Sequence, residues 1–331
     1  VIIVFTLRMS FKNTMYCVGL VAFASVVVFA VYAGSGTFGR ISYENVISSS
    51  TSALETLLPL EKKASHVDVP DAVRAIYMTS CTATRRDLRD RLVALVDETE
   101  LNSIVIDIKT YDGRISFPVE NPVLVPAQGG SCFVPDMKEF LEELHEKNIY
   151  VIGRIAVFQD VFMVKEKPQL AVKKDTDRTA VWKDHKSISW IDAGAMEHWE
   201  YIKTLAEESY KAGFDELNFD YIRFPSDGIN IGQVLEKALP YFDYIAPMVY
   251  PSHYPFNFHN LGDPNKDPYG VVHYSMETAV SRAVASSTVV QTKQGTRIAS
   301  TTPPLYTKES FDKNKLRPWL QDNNYPVPYT P

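Results

Sequence analysis

The feature that most limits what this chain of 331 residues can fold into is an alternation that runs from Val73 onward. Apolar strand-like runs take turns with amphipathic helix-like runs. "AVRAIYMTS" reads as a strand, "TRRDLRDRLVALVDETE" as a helix with Leu88, Leu92, Leu95 and Val96 on one face, and "SIVIDIKT" as a strand. "VPDMKEFLEELHEKNI" reads as a helix, "YVIGRIAVF" as a strand, and "AMEHWEYIKTLAEESYKAG" as a helix closed by Gly213. "ELNFDYIRF", the short helix "VLEKALPYF" and "YIAPMVY" continue the series. Continuous apolar strands between helices imply a parallel sheet covered by helices. No Gly-rich phosphate loop follows a strand, so an α/β fold of the (β/α)8 TIM-barrel type is expected rather than an open nucleotide-binding sheet.

Ahead of this region the chain has a different character. Arg8 and Lys12 precede "MYCVGLVAFASVVVFAVYAGSG", which carries no charge. Its apolar part, Tyr16 to Ala33, has about the length of a membrane-spanning helix. The basic flank orients the bulk of the protein away from the cytoplasm. Val31 and Ala33 also fit the small-residue positions of a cleavage site, so anchor and cleaved signal peptide both stay open. Three segments follow: 1–34 as signal anchor or signal peptide, 35–69 as a polar linker with "SSSTS", and 70–331 as the folded domain. The localisation expected is membrane-anchored with an extracytoplasmic domain, or secreted.

Lys and Arg total 34 against 40 Asp and Glu, a formal charge of −6, which argues against a nucleic-acid partner. Cys17, Cys81 and Cys132 have no metal spacing. Cys81 and Cys132 are expected as buried free thiols, with a bridge between them the alternative outside the cytoplasm. No His/Asp/Glu cluster with metal spacing and no nucleophile elbow is present, so neither metal nor cofactor is expected.

In a parallel α/β barrel, active sites are built at the C-terminal ends of the strands. The strand ends here are repeatedly polar or aromatic. They give Thr79 and Ser80; then Asp107, Lys109, Tyr111 and Asp112; then Arg154, Gln159 and Asp160. The next gives Asp220, Tyr221 and Arg223, and another gives Tyr250, Ser252, His253 and Tyr254. In "LNFDYIRF" Asn218 and Asp220 share one face, which turns Tyr221 toward the helices. Arg223 is expected to fold back over Asp220 as its counter-charge. Asp107 and Lys109 share a face and are expected to pair. His198, within a helix, reads as a surface residue, and Asp192 as a helix N-cap.

Carboxylates beside cations, among many aromatics, suit glycoside hydrolysis, which needs one carboxyl to donate a proton and another to attack or to activate water. Asp220 and Asp107 are therefore the catalytic candidates. Arg223, Arg154, Tyr111, Asp112, Trp190, Tyr250, His253, Trp319 and Asp322 are the candidates for substrate binding, with aromatic faces for sugar rings. The partner expected is a carbohydrate, with the membrane reached through the N-terminal helix. A carbohydrate-binding barrel without catalysis is the alternative, and an incomplete inactive product is a further one.

"FDELNFDYIRFPSDG", "YFDYIAPMVYPSHY", "IVIDIKTYDGRISF", "YVIGRIAVFQD" and "LRPWLQD" together resemble the putative glycosyl hydrolase domain family, first catalogued as a domain of unknown function. The resemblance spans roughly Val73 to Asp322. It implies a glycosidase-like TIM barrel with Asp220 at the end of the fourth strand as the leading catalytic residue, and Asp107, Arg154, Tyr250 and Asp322 in matching motifs. The sequence departs from that pattern twice. Only "IN" joins "RFPSDG" to "IGQVLEKALPYF", where the family carries a helix and a fifth strand, and "NNYPVPYTP" stands where an eighth strand would follow. An incomplete barrel of about six strands is expected.

Overall fold

The computed structural model describes residues 2–7, 64–223, 235–285, 289–292, 295–298 and 309–322. The strands are β1 (Ile2–Leu7), β2 (Ala75–Met78), β3 (Ser103–Lys109), β4 (Tyr150–Ala156), β5 (Glu216–Asp220), β6 (Tyr244–Val249), β7 (Val289–Thr292), β8 (Gly295–Ile298) and β9 (Trp319–Leu320). The helices are α1 (Ser80–Ala83), α2 (Arg86–Asp97), α3 (Met137–Glu146), α4 (Val161–Glu166), α5 (Met196–Ala212), α6 (Leu235–Ala238) and α7 (Pro268–Val284).

Seven strands form one sheet in the order β2-β3-β4-β5-β1-β6-β9. The pairs β2–β3, β3–β4, β4–β5 and β6–β9 are parallel, so the chain is an α/β fold with a helix following most strands. The slot between β5 and β6, where the family pattern has a fifth strand that this sequence lacks, is taken by β1, which pairs antiparallel with both neighbours. Among the described residues nothing pairs β9 with β2, and no helix is long and apolar enough to cross a membrane. Ile2–Leu7, within the segment read as an N-terminal signal, is thus a sheet strand; the apolar run from Tyr16 to Ala33 lies outside the described residues.

The central strands owe their position to their composition. All seven residues of β3 are buried, with Ile104, Ile106 and Ile108 at zero exposure. Each such side chain contributes about 2 kcal/mol through burial. On the opposite face of the sheet Val105, Tyr150 and Ile152 form a cluster with Val67, Val69, Val73 and Trp319. The last residues of the segment read as a linker are therefore seated against the sheet, and Val67 N donates to Asp215 Oδ1 at 2.8 Å. The rest of that segment, up to residue 63, lies outside the described residues. The β7–β8 hairpin and α7 had no counterpart in the sequence reading.

Cys81 and Cys132 are joined by a disulfide rather than held as free thiols. The bond ties α1, directly after β2, to the loop after β3, so it braces the C-terminal end of the sheet. Asp192 is not the cap of α5. It closes a turn ahead of the helix, its Oδ1 accepting from Gly194 N at 2.8 Å.

Candidate active site

Three adjacent parallel strands end in charged residues that meet. Asp107 on β3 lies in register with Arg154 on β4, and Ala156, two residues further along β4, lies in register with Asp220 on β5. Alternation along each strand turns Asp107, Arg154 and Asp220 to one face. Arg154 Nη1 donates to Asp107 Oδ1 at 2.7 Å. Its Nε donates to Asp220 Oδ2 at 3.0 Å, and its Nη2 donates to the same oxygen. One guanidinium thus clamps two carboxylates, which are 5% and 2% exposed. Burial alone would pull the guanidinium down; the two carboxylates outweigh it, and Arg154 is raised above the ordinary arginine value.

Among the described residues, the remaining hydrogen-bond partners of the two carboxylates are donors. Tyr77 OH donates to Asp107 Oδ2 at 2.5 Å, and Arg154 Nη1 also reaches the Tyr77 oxygen at 3.3 Å. Tyr221 N donates to Asp220 Oδ1 at 2.6 Å. An acid surrounded only by donors has the hydrogen-bond pattern of a carboxylate. The phenols nearby are shifted the other way. Burial, followed by Asp107, raises Tyr77; burial, followed by Asp220, raises Tyr221 and pushes Tyr250 up to about 12.

The partner of Asp220 is therefore Arg154 and not Arg223. Arg223 instead lies over the ring of Trp190, 5.0 Å from its centroid. The loop that was expected to return it over the acid carries it to the buried indole. Lys109 does not pair with Asp107 either. The β3–β4 register shifts between Asp107 and Lys109, a bulge that sends Lys109 to the other face. There it meets Asp160 at 2.8 Å. His198, read as a surface residue, is buried and its Nε2 bonds to Val157 O at 2.8 Å.

The remaining candidates divide in two. Trp319 meets Tyr77 edge to face at 5.6 Å, and Tyr250 meets His253 at 5.2 Å. Tyr77, Tyr250, His253, Trp319 and Asp322 all line one cavity of about 980 Å3, which Val105, Ile152 and Asn218 also line from the sheet. Asp107, Arg154 and Asp220 do not themselves line it, and Tyr77 links them to it through Asp107; Trp190 lies outside it as well, 6.0 Å from Tyr221. Tyr111 and Asp112 are not brought into it. They form an exposed turn in which Asp112 Oδ1 accepts from Arg114 N and from Thr110 Oγ1. Sequence reasoning missed Tyr77, whose place on the face of Ala75 and Thr79 was a usable sign. It also turned Tyr221 toward the helices, whereas a φ of 55° swings its ring back to Arg154. Among the described residues no group of three His, Cys, Asp or Glu side chains is arranged to hold a metal ion.

The family described as a putative glycosyl hydrolase domain matches residues 75–230 and 226–330. No curated protein matches the chain. Among solved structures, a hypothetical protein from Ruminiclostridium thermocellum shares 32% identity with a TM-score of 0.43, over 49% of this chain and 86% of that one. An α-galactosidase from Thermus thermophilus shares 19% identity with a TM-score of 0.33, over 45% of this chain and 30% of that one. An α-L-fucosidase from Paenibacillus thiaminolyticus shares 15% identity with a TM-score of 0.32, over 41% and 21%. The chain thus spans less than a third of either named glycosidase.

Proposed function

The chain belongs to the putative glycosyl hydrolase domain family, and from that premise we propose that it is a glycoside hydrolase acting on an extracytoplasmic polysaccharide or oligosaccharide. The observation that carries this reading is the clamp of Asp107 and Asp220 by Arg154 at the ends of three neighbouring parallel strands. The sheet is read as part of a (β/α)8 barrel in which β1 stands in the place of the fifth strand.

Asp220 is assigned as nucleophile or base, since its contacts are those of a carboxylate. A carboxyl that must give up a proton is not one already held against a guanidinium. Asp107 is therefore assigned to holding Arg154 and Tyr77 in place. Asp322 lines the cavity and has no cation within ion-pair distance among the described residues, and it is assigned as the acid. Tyr250 and Trp319 offer ring faces to the sugar. Localisation outside the cytoplasm is supported by the Cys81–Cys132 bond, which persists in oxidising compartments, and by the basic and then apolar N-terminal run.

The test is Asp220→Asn, with release of reducing ends from a panel of polysaccharides as readout. The variant should fold as the parent does and release no sugar. Parent-like release by the variant overturns the assignment. The burial of Asp220 favours a second reading, a barrel that binds carbohydrate without cleaving it. That reading holds if the parent binds glycans, releases nothing, and is unaffected by Asp220→Asn.

A further inference from the structure

We infer that Tyr221 is a positioning residue for Asp220, held in a strained backbone turn by Trp190; this rests on Asp220 as the working carboxylate. β5 ends at Asp220, and the next residue takes a φ of 55°. Bulky side chains seldom enter that left-handed region, because Cβ crowds the following carbonyl. A chain leaving a strand has no general need of it. Such an outlier persists only where its surroundings impose it.

Those surroundings are specific. The Tyr221 ring meets Trp190 edge to face, with centroids 6.0 Å apart and planes at 68°. The guanidinium of Arg154 lies over the same ring at 5.7 Å. Trp190 itself is 1% exposed, and Ile191 N, next in sequence, donates to Phe158 O at 2.8 Å just beyond β4. The ring is thereby wedged between an indole fixed to one strand end and the arginine of the same strand.

The turn has a consequence for the acid. It places Tyr221 N 2.6 Å from Asp220 Oδ1, while Arg154 takes Oδ2. Each carboxylate oxygen has its own donor, from a different direction, so rotation of the carboxylate loses both. The left-handed turn adds the aim of the N–H, and the wedge keeps it.

The test uses Tyr221→Phe, Tyr221→Ala, Tyr221→Gly and Trp190→Ala in the full chain. Tyr221→Ala and Trp190→Ala should each lower kcat about 100-fold with KM little changed, the effect expected of a misplaced reacting group. Tyr221→Phe keeps the wedge and should lose no more than about tenfold, the worth of one hydrogen bond. Tyr221→Gly loses the ring as Ala does but tolerates a positive φ, so it should melt about 2 °C above Tyr221→Ala. Equal rates in Tyr221→Ala and the parent, or Ala melting at or above Gly, overturns the inference. A crystal structure of Tyr221→Ala decides the aim without turnover: a displaced Asp220 carboxylate supports it, and one seated as in the parent overturns it. If the parent hydrolyses nothing, the hydrolase reading fails, while this crystallographic arm and the melting comparison still stand.

Discussion

Lys109 Nζ and Asp160 Oδ2 form an ion pair at 2.8 Å, and neither side chain reaches solvent. They stand at the ends of β3 and β4, the same strands that carry Asp107 and Arg154, on the opposite face. Lys109 also donates to Ala156 O at 2.6 Å, and Asp160 Oδ1 caps α4 by accepting from Met163 N at 2.7 Å. Gly113 passes so close that a Cβ there would fall 2.0 Å from Asp160 Oδ1, and its φ of 88° suits glycine alone. The pair therefore fixes the strand ends from behind.

Removing one partner leaves an uncompensated charge in a dry layer. Lys109→Met should cost about 4 kcal/mol of unfolding free energy in urea titrations. Asp160→Asn should cost about the same, although asparagine can still cap α4. The double variant should lose clearly less than the sum of the two. Simple additivity would show that the two charges do not depend on each other.

The Cys81–Cys132 bond closes a span of 51 residues. Constraint of the unfolded chain over such a loop is worth about 4 kcal/mol. Cys81→Ser with Cys132→Ser should lower stability by that order and leave the far-UV circular dichroism unchanged. Stability that is identical with and without reductant would mean that the bond does not form in solution.

His198 lies against Phe158 and Tyr201 and is 1% exposed. Burial, with Lys109 adding to it, holds the imidazole down at about 4, against an ordinary value of 6.5. The unfolded chain therefore takes up the proton first as pH falls. Stability from this group is intact above about pH 6.5 and is lost between 6.5 and 4, by about 3 kcal/mol in all. His198→Gln keeps a donor for Val157 O but does not titrate. Its stability relative to the parent should rise as pH falls through that window, measured by urea unfolding at fixed pH steps. Parallel curves would exclude the buried neutral histidine.

The strands that carry the site were legible because their apolar runs are continuous and their tips are polar. Asp107, Arg154 and Asp220 could all be placed at strand ends from "IVIDIKT", "YVIGRIAVF" and "ELNFDYIRF". Which of them pair was not legible, since pairing depends on register between strands. A bulge with no glycine or proline to announce it turned Lys109 away from Asp107. Arg223 is nearer to Asp220 in sequence than Arg154, and sequence distance misled. His198 looked exposed because Glu197 and Glu200 flank it, yet the helix face it shares with Tyr201, Ile202 and Leu205 packs on the sheet. The antiparallel entry of β1 between β5 and β6 left no local sign at all.

Arg154 is the residue on which the site geometry turns, and its fork matters more than its charge. Nη1 serves Asp107, and Nε with Nη2 serves Asp220, so two buried acids are satisfied by one planar group. Lysine offers a point charge that can sit against one carboxylate but not span both. Arg154→Lys should therefore lose stability by about 2 kcal/mol, because one buried acid is left without its charged donor. Its activity on any polysaccharide that the parent cleaves should fall at least 100-fold, since Asp220 loses its fixed orientation. Adding Asp107→Asn to Arg154→Lys removes the competing acid and should restore part of the stability. Urea unfolding of the single and double variants checks this, and a double variant less stable than Arg154→Lys would show that the two acids do not compete for one cation.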